Sequence, residues 1–311
     1  MKKQNNRILF NISLSIFLTA GLLLVCSCST APVEDRSEEQ TFVFLFMSDT
    51  QANPQKADYS GFGSLLARAV EKGNPGLLLL GGDSVNDGAD QDEWLAFHEA
   101  VGASLDGIPV AAVAGNHDAD GLLAKQFTWP SAAPESLGQG FFYSFSMNGI
   151  HFSMLDSNIM GAANPDDVYW LEEVLSSDDA MKANWRIAVC HHPFWPVADI
   201  PRDVARAQTM REHFLPLLEE YEVDLLLVGH QHSYARSFHM SGEKSRGKGL
   251  VQVMVASGDK PGYLPVEHHY LTTTAETNGY VLISASANQL TLAVYDPADN
   301  IIDFFALSRE E

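Results

Sequence analysis

Five short apolar runs, each closing on a polar, glycine-rich or histidine-rich tip, constrain this chain more than any other feature. Residues 41–47 (TFVFLFM) run into Ser48-Asp49, and residues 77–80 into Gly81-Gly82-Asp83. Residues 110–114 lead into Gly115-Asn116-His117-Asp118, residues 187–190 into His191-His192-Pro193, and residues 225–228 into Gly229-His230-Gln231-His232. Unbroken apolar runs of this length mark strands covered on both faces. Helix-like segments lie between them, at 64–72, 92–104, 168–175 and 204–221. Strand–helix alternation predicts an α/β fold, in which ligand sites gather at the carboxyl ends of the strands. All five tips lie at that end.

Two stretches break the alternation. Residues 142–155 carry Asn148-Gly149 between two β-rich runs, a hairpin signal. Residues 280–305 read as consecutive antiparallel strands, with turns near Ala287-Asn288 and at 296–300. Such strands build a second sheet. The predicted architecture is a two-sheet sandwich flanked by helices, in a single domain spanning residues 41–311.

The N-terminus is set apart from that body. Lys2, Lys3 and Arg7 precede a largely apolar run at 8–25, which ends in Cys26-Ser27-Cys28-Ser29. This looks like a bacterial lipoprotein signal occupying residues 1–28, with Cys28 lipidated because the small Ser27 precedes it; an ordinary cleaved signal or an uncleaved anchor is the other reading. Residues 29–40 (STAPVEDRSEEQ) are acidic and aperiodic, as a tether between lipid and body is. The expected location is the bacterial cell envelope, on the periplasmic or outer-membrane face, with membrane contact only through that lipid. Loss of Cys26 and lipidation of Cys28 leave Cys190 alone, which excludes a disulfide framework. Removing Lys2, Lys3 and Arg7 takes the formal charge from −21 to −24. A body so acidic repels nucleic acid backbones, so no nucleic acid partner is expected. Its attraction for a phosphate ester would have to come from local cations.

The tips bring together Asp49, Asp83, Asn116, His191, His230 and His232, the carboxylate, amide and imidazole set that hard and borderline divalent metals take. In order along residues 42–258 they form Ser48-Asp49-Thr50-Gln51, Gly82-Asp83-Ser84-Val85-Asn86, Gly115-Asn116-His117-Asp118, His191-His192-Pro193 and Gly229-His230-Gln231-His232-Ser233-Tyr234. This series resembles the calcineurin-like metallophosphoesterases, and its last block is similar to that of their purple acid phosphatase branch. The resemblance implies the four-layer α/β/β/α fold of that superfamily and hydrolysis of a small phosphorylated substrate, a phosphomonoester first and a phosphodiester next. It implies two divalent ions (Mn, Zn, Fe(II) or Mg), with Asp83 bridging them, Asp49 and His232 on the first, and Asn116, His191 and His230 on the second. A hydroxide shared by the ions would attack phosphorus in line. His117 would donate a hydrogen bond or proton to the leaving oxygen, and Asp118 would orient its imidazole. Asn116 and His192 are the candidate substrate contacts, His192 having a solvent-facing reading as well.

Two positions depart from the family pattern. Gln51 stands where a histidine is most frequent, either as a weak ligand or as a contact behind the ligands. Asn86 stands where the purple branch has its tyrosine, which implies a colourless centre. The first departure keeps open a non-catalytic, metal-binding envelope protein. His98, His151 and His213 read as structural, and Cys190 as a buried strand thiol. His268 and His269 sit in the stretch 257–278, read as a loop overhanging the site.

Overall fold

The computed structural model describes residues 41–53, 58–119, 122–127, 142–241, 244–245 and 249–309. The leader, Cys28 and the tether at 29–40 lie outside them. Strand β1 (Phe42–Met47) shows why both faces of the first sheet are covered. Phe44 and Phe46 point into a core between two sheets, while Leu45 and Met47 point the other way into a helix-facing core. β1 pairs in parallel with β2 (Leu78–Leu80), and β2 with β3 (Val110–Ala112).

The second sheet follows in the chain. It comprises β4 (Tyr143–Met147), β5 (Ile150–Leu155), β6 (Trp185–Cys190), β7 (Leu225–Val228) and β8 (Tyr234–Ser237), then, after a small hairpin of β9 (Met240–Ser241) and β10 (Lys244–Ser245), β11 (Val251–Met254) and β12 (Leu271–Ala275). Its order is β12-β8-β11-β7-β6-β5-β4, with β5, β6, β7 and β11 parallel to one another. The remaining strands, β13 (Tyr280–Ala285), β14 (Gln289–Tyr295) and β15 (Ile301–Ser308), return antiparallel to the first sheet and complete the order β15-β14-β13-β1-β2-β3.

Helices α1 (Ser60–Gly73) and α2 (Gln91–Val101) cover the first sheet, burying Phe62, Leu66, Trp94 and Phe97. After the short α3 (Ser157–Met160), α4 (Pro165–Leu175), α5 (Asp178–Lys182), α6 (Pro201–His213) and α7 (Leu215–Glu220) follow. Leu171, Met210 and Leu218 from these helices pack with Cys190 and Leu226 on the outer face of the second sheet. Two mixed sheets with helices outside make the four-layer α/β/β/α sandwich.

Two expectations need correction. The single helix expected at 204–221 is two, because Pro216 has no N–H to continue the ladder and the chain breaks at Phe214. The stretch 257–278 is not wholly a loop: its Leu271–Ala275 adds the edge strand β12 beside β8.

Candidate metal centre

Three of the five tips turn sharply away from their strands. Asp49, Asp83, His230 and His232 take φ of 48°, 52°, 76° and 47°. Left-handed backbone at a non-glycine residue costs roughly 1–3 kcal/mol and persists only where surrounding contacts hold it. Two glycines make the approach feasible. A Cβ on Gly115 would lie 2.1 Å from Asp83 Oδ1, and one on Gly229 would lie 2.0 Å from Asp49 Oδ2.

Two sets of donors result. Asp49, Asp83 and His232 each place a ligand atom within 4.8 Å of the others, and so do His191, His192 and His230; all six residues are buried. The sets adjoin, for His191 Nε2 lies 3.3 Å from Asp83 Oδ2 and 3.3 Å from His230 Nδ1. His232 Nε2 lies 3.1 Å from Asp49 Oδ1. The outward nitrogens are spoken for: His191 Nδ1 donates to Gly81 O at 2.9 Å, and His232 Nδ1 to Lys260 O at 3.1 Å. A carbonyl only accepts, so these bonds keep a proton on each Nδ1 and make Nε2 the nitrogen of each ring that faces the site.

The electrostatics of the pocket call for positive charge. Burial pushes the Asp49 carboxyl up, yet His232 and His191 hold it below the usual carboxylate range. Burial acts the same way on Asp83, and His191 holds it down. Conversely, burial alone would lower His191 and His232, but Asp83 and Asp49 raise the first and Asp49 raises the second. A buried oxygen and nitrogen donor set that stabilises positive charge fits a pair of divalent cations.

The remaining candidates fall as follows. Asn116 stands exposed just beyond β3. His192 does not face solvent: it is buried, Nδ1 lies 2.9 Å from Ser157 Oγ, and its ring centroid is 4.3 Å from that of His230. Burial and the neighbouring His191 push its pKa far down. The orienting role expected of Asp118 is corrected. Its two carboxylate oxygens accept from Gly115 N at 2.6 Å and Ser84 N at 2.7 Å, because the tip needs those buried amides satisfied. The His117 imidazole is held instead by Asn86 O, 2.7 Å from Nδ1, while His117 N donates to Asp83 Oδ1 at 2.8 Å. Gln51 is buried behind the first set, its Nε2 donating to Val85 O at 3.3 Å and its Oε1 accepting from Lys260 Nζ at 3.0 Å. Of its two readings, this geometry matches a contact behind the ligands. His268 stacks on Tyr270 with centroids 4.6 Å apart.

Two residues escaped the sequence reading. Asp203, in the first turn of α6, has Oδ1 3.1 Å from His230 Nε2, and Lys260 Nζ lies 2.9 Å from His117 Nε2. Neither belongs to a spaced motif. Asp203 reads as a helix-start acid and Lys260 as a solvated loop cation; only the tertiary fold brings them to the site.

The calcineurin-like phosphoesterase family model matches residues 42–234. Among curated proteins, Purple acid phosphatase 23 of Arabidopsis thaliana is 29% identical over 152 residues, covering 47% of this chain and 32% of that one. Probable purple acid phosphatase 20 of the same plant is 27% identical over 198 residues, covering 61% of this chain and 46% of that one. The chain thus spans less than half the length of either. Among solved structures, purple acid phosphatase PPD1 from yellow lupin (Lupinus luteus) superposes with a TM-score of 0.75 at 16% identity, over 88% of this chain and 55% of that one. GAP50 of Plasmodium gives 0.66 at 15% identity, over 87% and 90% of the two chains. These structures share the sandwich fold.

Proposed function

Because this chain belongs to the calcineurin-like phosphoesterase family, we propose that it hydrolyses phosphate esters, phosphomonoesters first, at a binuclear divalent-metal centre. The observation that carries this reading is the junction of the two donor sets, where Asp83 Oδ2 meets His191 Nε2 at 3.3 Å with His117 bonded beside it. Bound divalent ions would supply an activated water and the charge that neutralises a phosphoryl group in the transition state.

The chain's own residues do the rest. Asp83 lies where it can serve both sets, with Asp49 and His232 on one side and His191, His192 and His230 on the other. Asn116, exposed beside His117, is free to meet substrate. His117 is oriented by Asn86 O, which fixes Nδ1 as the donor and leaves Nε2, 2.9 Å from Lys260 Nζ, as the nitrogen that would carry a proton to the leaving oxygen. The formal charge of −21 disfavours a nucleic acid substrate.

The test is turnover of an aryl phosphate by the purified body, residues 29–311, reloaded with Mn, Zn, Fe(II) or Mg in turn. Turnover lost in both Asp83→Asn and His117→Ala supports hydrolysis. Preference for a bis-aryl phosphate would turn the assignment to a diesterase. Metal binding without turnover on any ester would make this a non-catalytic metal-binding protein.

We further propose that the body is tethered to the bacterial cell envelope through lipid on Cys28, a reading supported by the basic-apolar-cysteine series of residues 1–28. Palmitate-analogue labelling lost in Cys28→Ala is the expected result, and unchanged labelling would remove the anchor.

A further inference from the structure

Lys260 is placed by the backbone, not by chance of a flexible loop. Three hydrogen bonds lace its segment to the first tip: Ser257 N to Ser48 O at 2.7 Å, Gly258 N to Asp49 O at 2.9 Å, and Asp259 N to Gln51 O at 3.1 Å. A Cβ on Gly258 would come within 2.4 Å of Gln51 O, so the two segments lie as close as chains can. Lys260 O then accepts from His232 Nδ1 at 3.1 Å, which ties the residue to a member of the first donor set.

From this anchored position the ammonium donates to Gln51 Oε1 at 3.0 Å and to His117 Nε2 at 2.9 Å. An ammonium has three N–H donors, so one remains for a ligand. In a chain of formal charge −21, a cation held next to His117 is a specific arrangement.

We propose that Lys260 is a phosphate-binding residue: its ammonium holds a non-bridging oxygen of the substrate phosphoryl group beside His117. The proposal rests on the phosphoesterase reading and deepens it. Gln51 Oε1 steers the ammonium, which explains a glutamine buried there. A charge-assisted N–H···O bond of this kind sets oxyanion affinity.

The experiment is calorimetric binding of inorganic phosphate to the metal-loaded protein, with metal equivalents counted in the same samples, for wild type, Lys260→Met and Lys260→Arg. Both substitutions keep the carbonyl that orients His232. With metal content and thermal midpoint unchanged, Lys260→Met is expected to weaken phosphate binding about 10- to 100-fold, and Lys260→Arg to retain most of it. Equal phosphate affinity in wild type and Lys260→Met would overturn the proposal while leaving hydrolysis intact. A rise in metal equivalents in Lys260→Met would also overturn it, since the ammonium would then be occupying a metal position. Wild type that binds neither phosphate nor aryl phosphate would overturn both readings together.

Discussion

Asp203 Oδ1 stands 3.1 Å from His230 Nε2, on the opposite edge of the imidazole from the Nδ1 that faces His191. The carboxylate is itself locked, its Oδ2 accepting from Gln231 Nε2 at 2.9 Å. A carboxylate behind a ligating imidazole orients the ring and raises its basicity. Asp203→Asn keeps the shape and removes the charge. Its expected effect is a loss of about 10- to 100-fold in affinity for the ion at the second donor set, measured by competition with a chelator. Unchanged affinity would reduce Asp203 to packing.

Asp83 joins the two donor sets side chain to side chain, through its 3.3 Å approach to His191 and its place with Asp49 and His232. Elemental analysis of the reloaded body should give about two metal equivalents, falling to one or fewer in Asp83→Asn. Two equivalents in that variant would separate Asp83 from metal binding.

Colour offers an independent check. Asn86 has no phenolate to give, and its Oδ1 is buried without a hydrogen-bond partner. Tyr59 donates its hydroxyl to Glu93, and burial with that carboxylate holds the phenol protonated well above its usual range. An iron-loaded preparation should therefore lack a visible tyrosinate band. A purple or pink product would mean that a tyrosine had swung into the site.

Away from the metal centre, His151 makes the fold sensitive to acid. Its ring is buried on β5 with Nε2 unpartnered, and burial pushes its pKa down to about 4. The unfolded chain binds this proton near pH 6.5 and the folded chain only near 4, so stability is full above 6.5 and falls between those values. The loss is on the order of 2–3 kcal/mol. Urea unfolding of chelator-treated protein at pH 7.5 and 4.5 should show it in wild type, with that part missing in His151→Leu. Equal pH slopes would acquit His151.

What the chain disclosed in advance follows from the range of each signal. The five strand tips were legible because apolar runs and their polar ends are local. The Asn148-Gly149 hairpin and the returning antiparallel strands were legible for the same reason, and together they specify the sandwich. The role given to Asp118 was not recoverable from spacing. Adjacency to His117 suggested a partner, whereas the buried amides of Ser84 and Gly115 claimed both of its oxygens. Lys260 was hidden more deeply. It is 209 residues from Gln51, and no local pattern distinguishes it from any other loop lysine.

The lacing of residues 257–259 to residues 48–51 has a consequence for biogenesis. Every candidate metal ligand lies at or before His232, within the stretch 42–234 that the family model matches. Yet His232 is oriented by Lys260 O, and the Asp49 tip is held by Ser257 and Gly258. A chain emerging from the ribosome thus carries a full complement of ligands before it can arrange them. The metal centre closes only after the segment beyond β11 has crossed back to the first strand, a contact of long sequence separation and therefore a late one. A chain truncated after residue 256 would keep every candidate ligand and still load metal poorly.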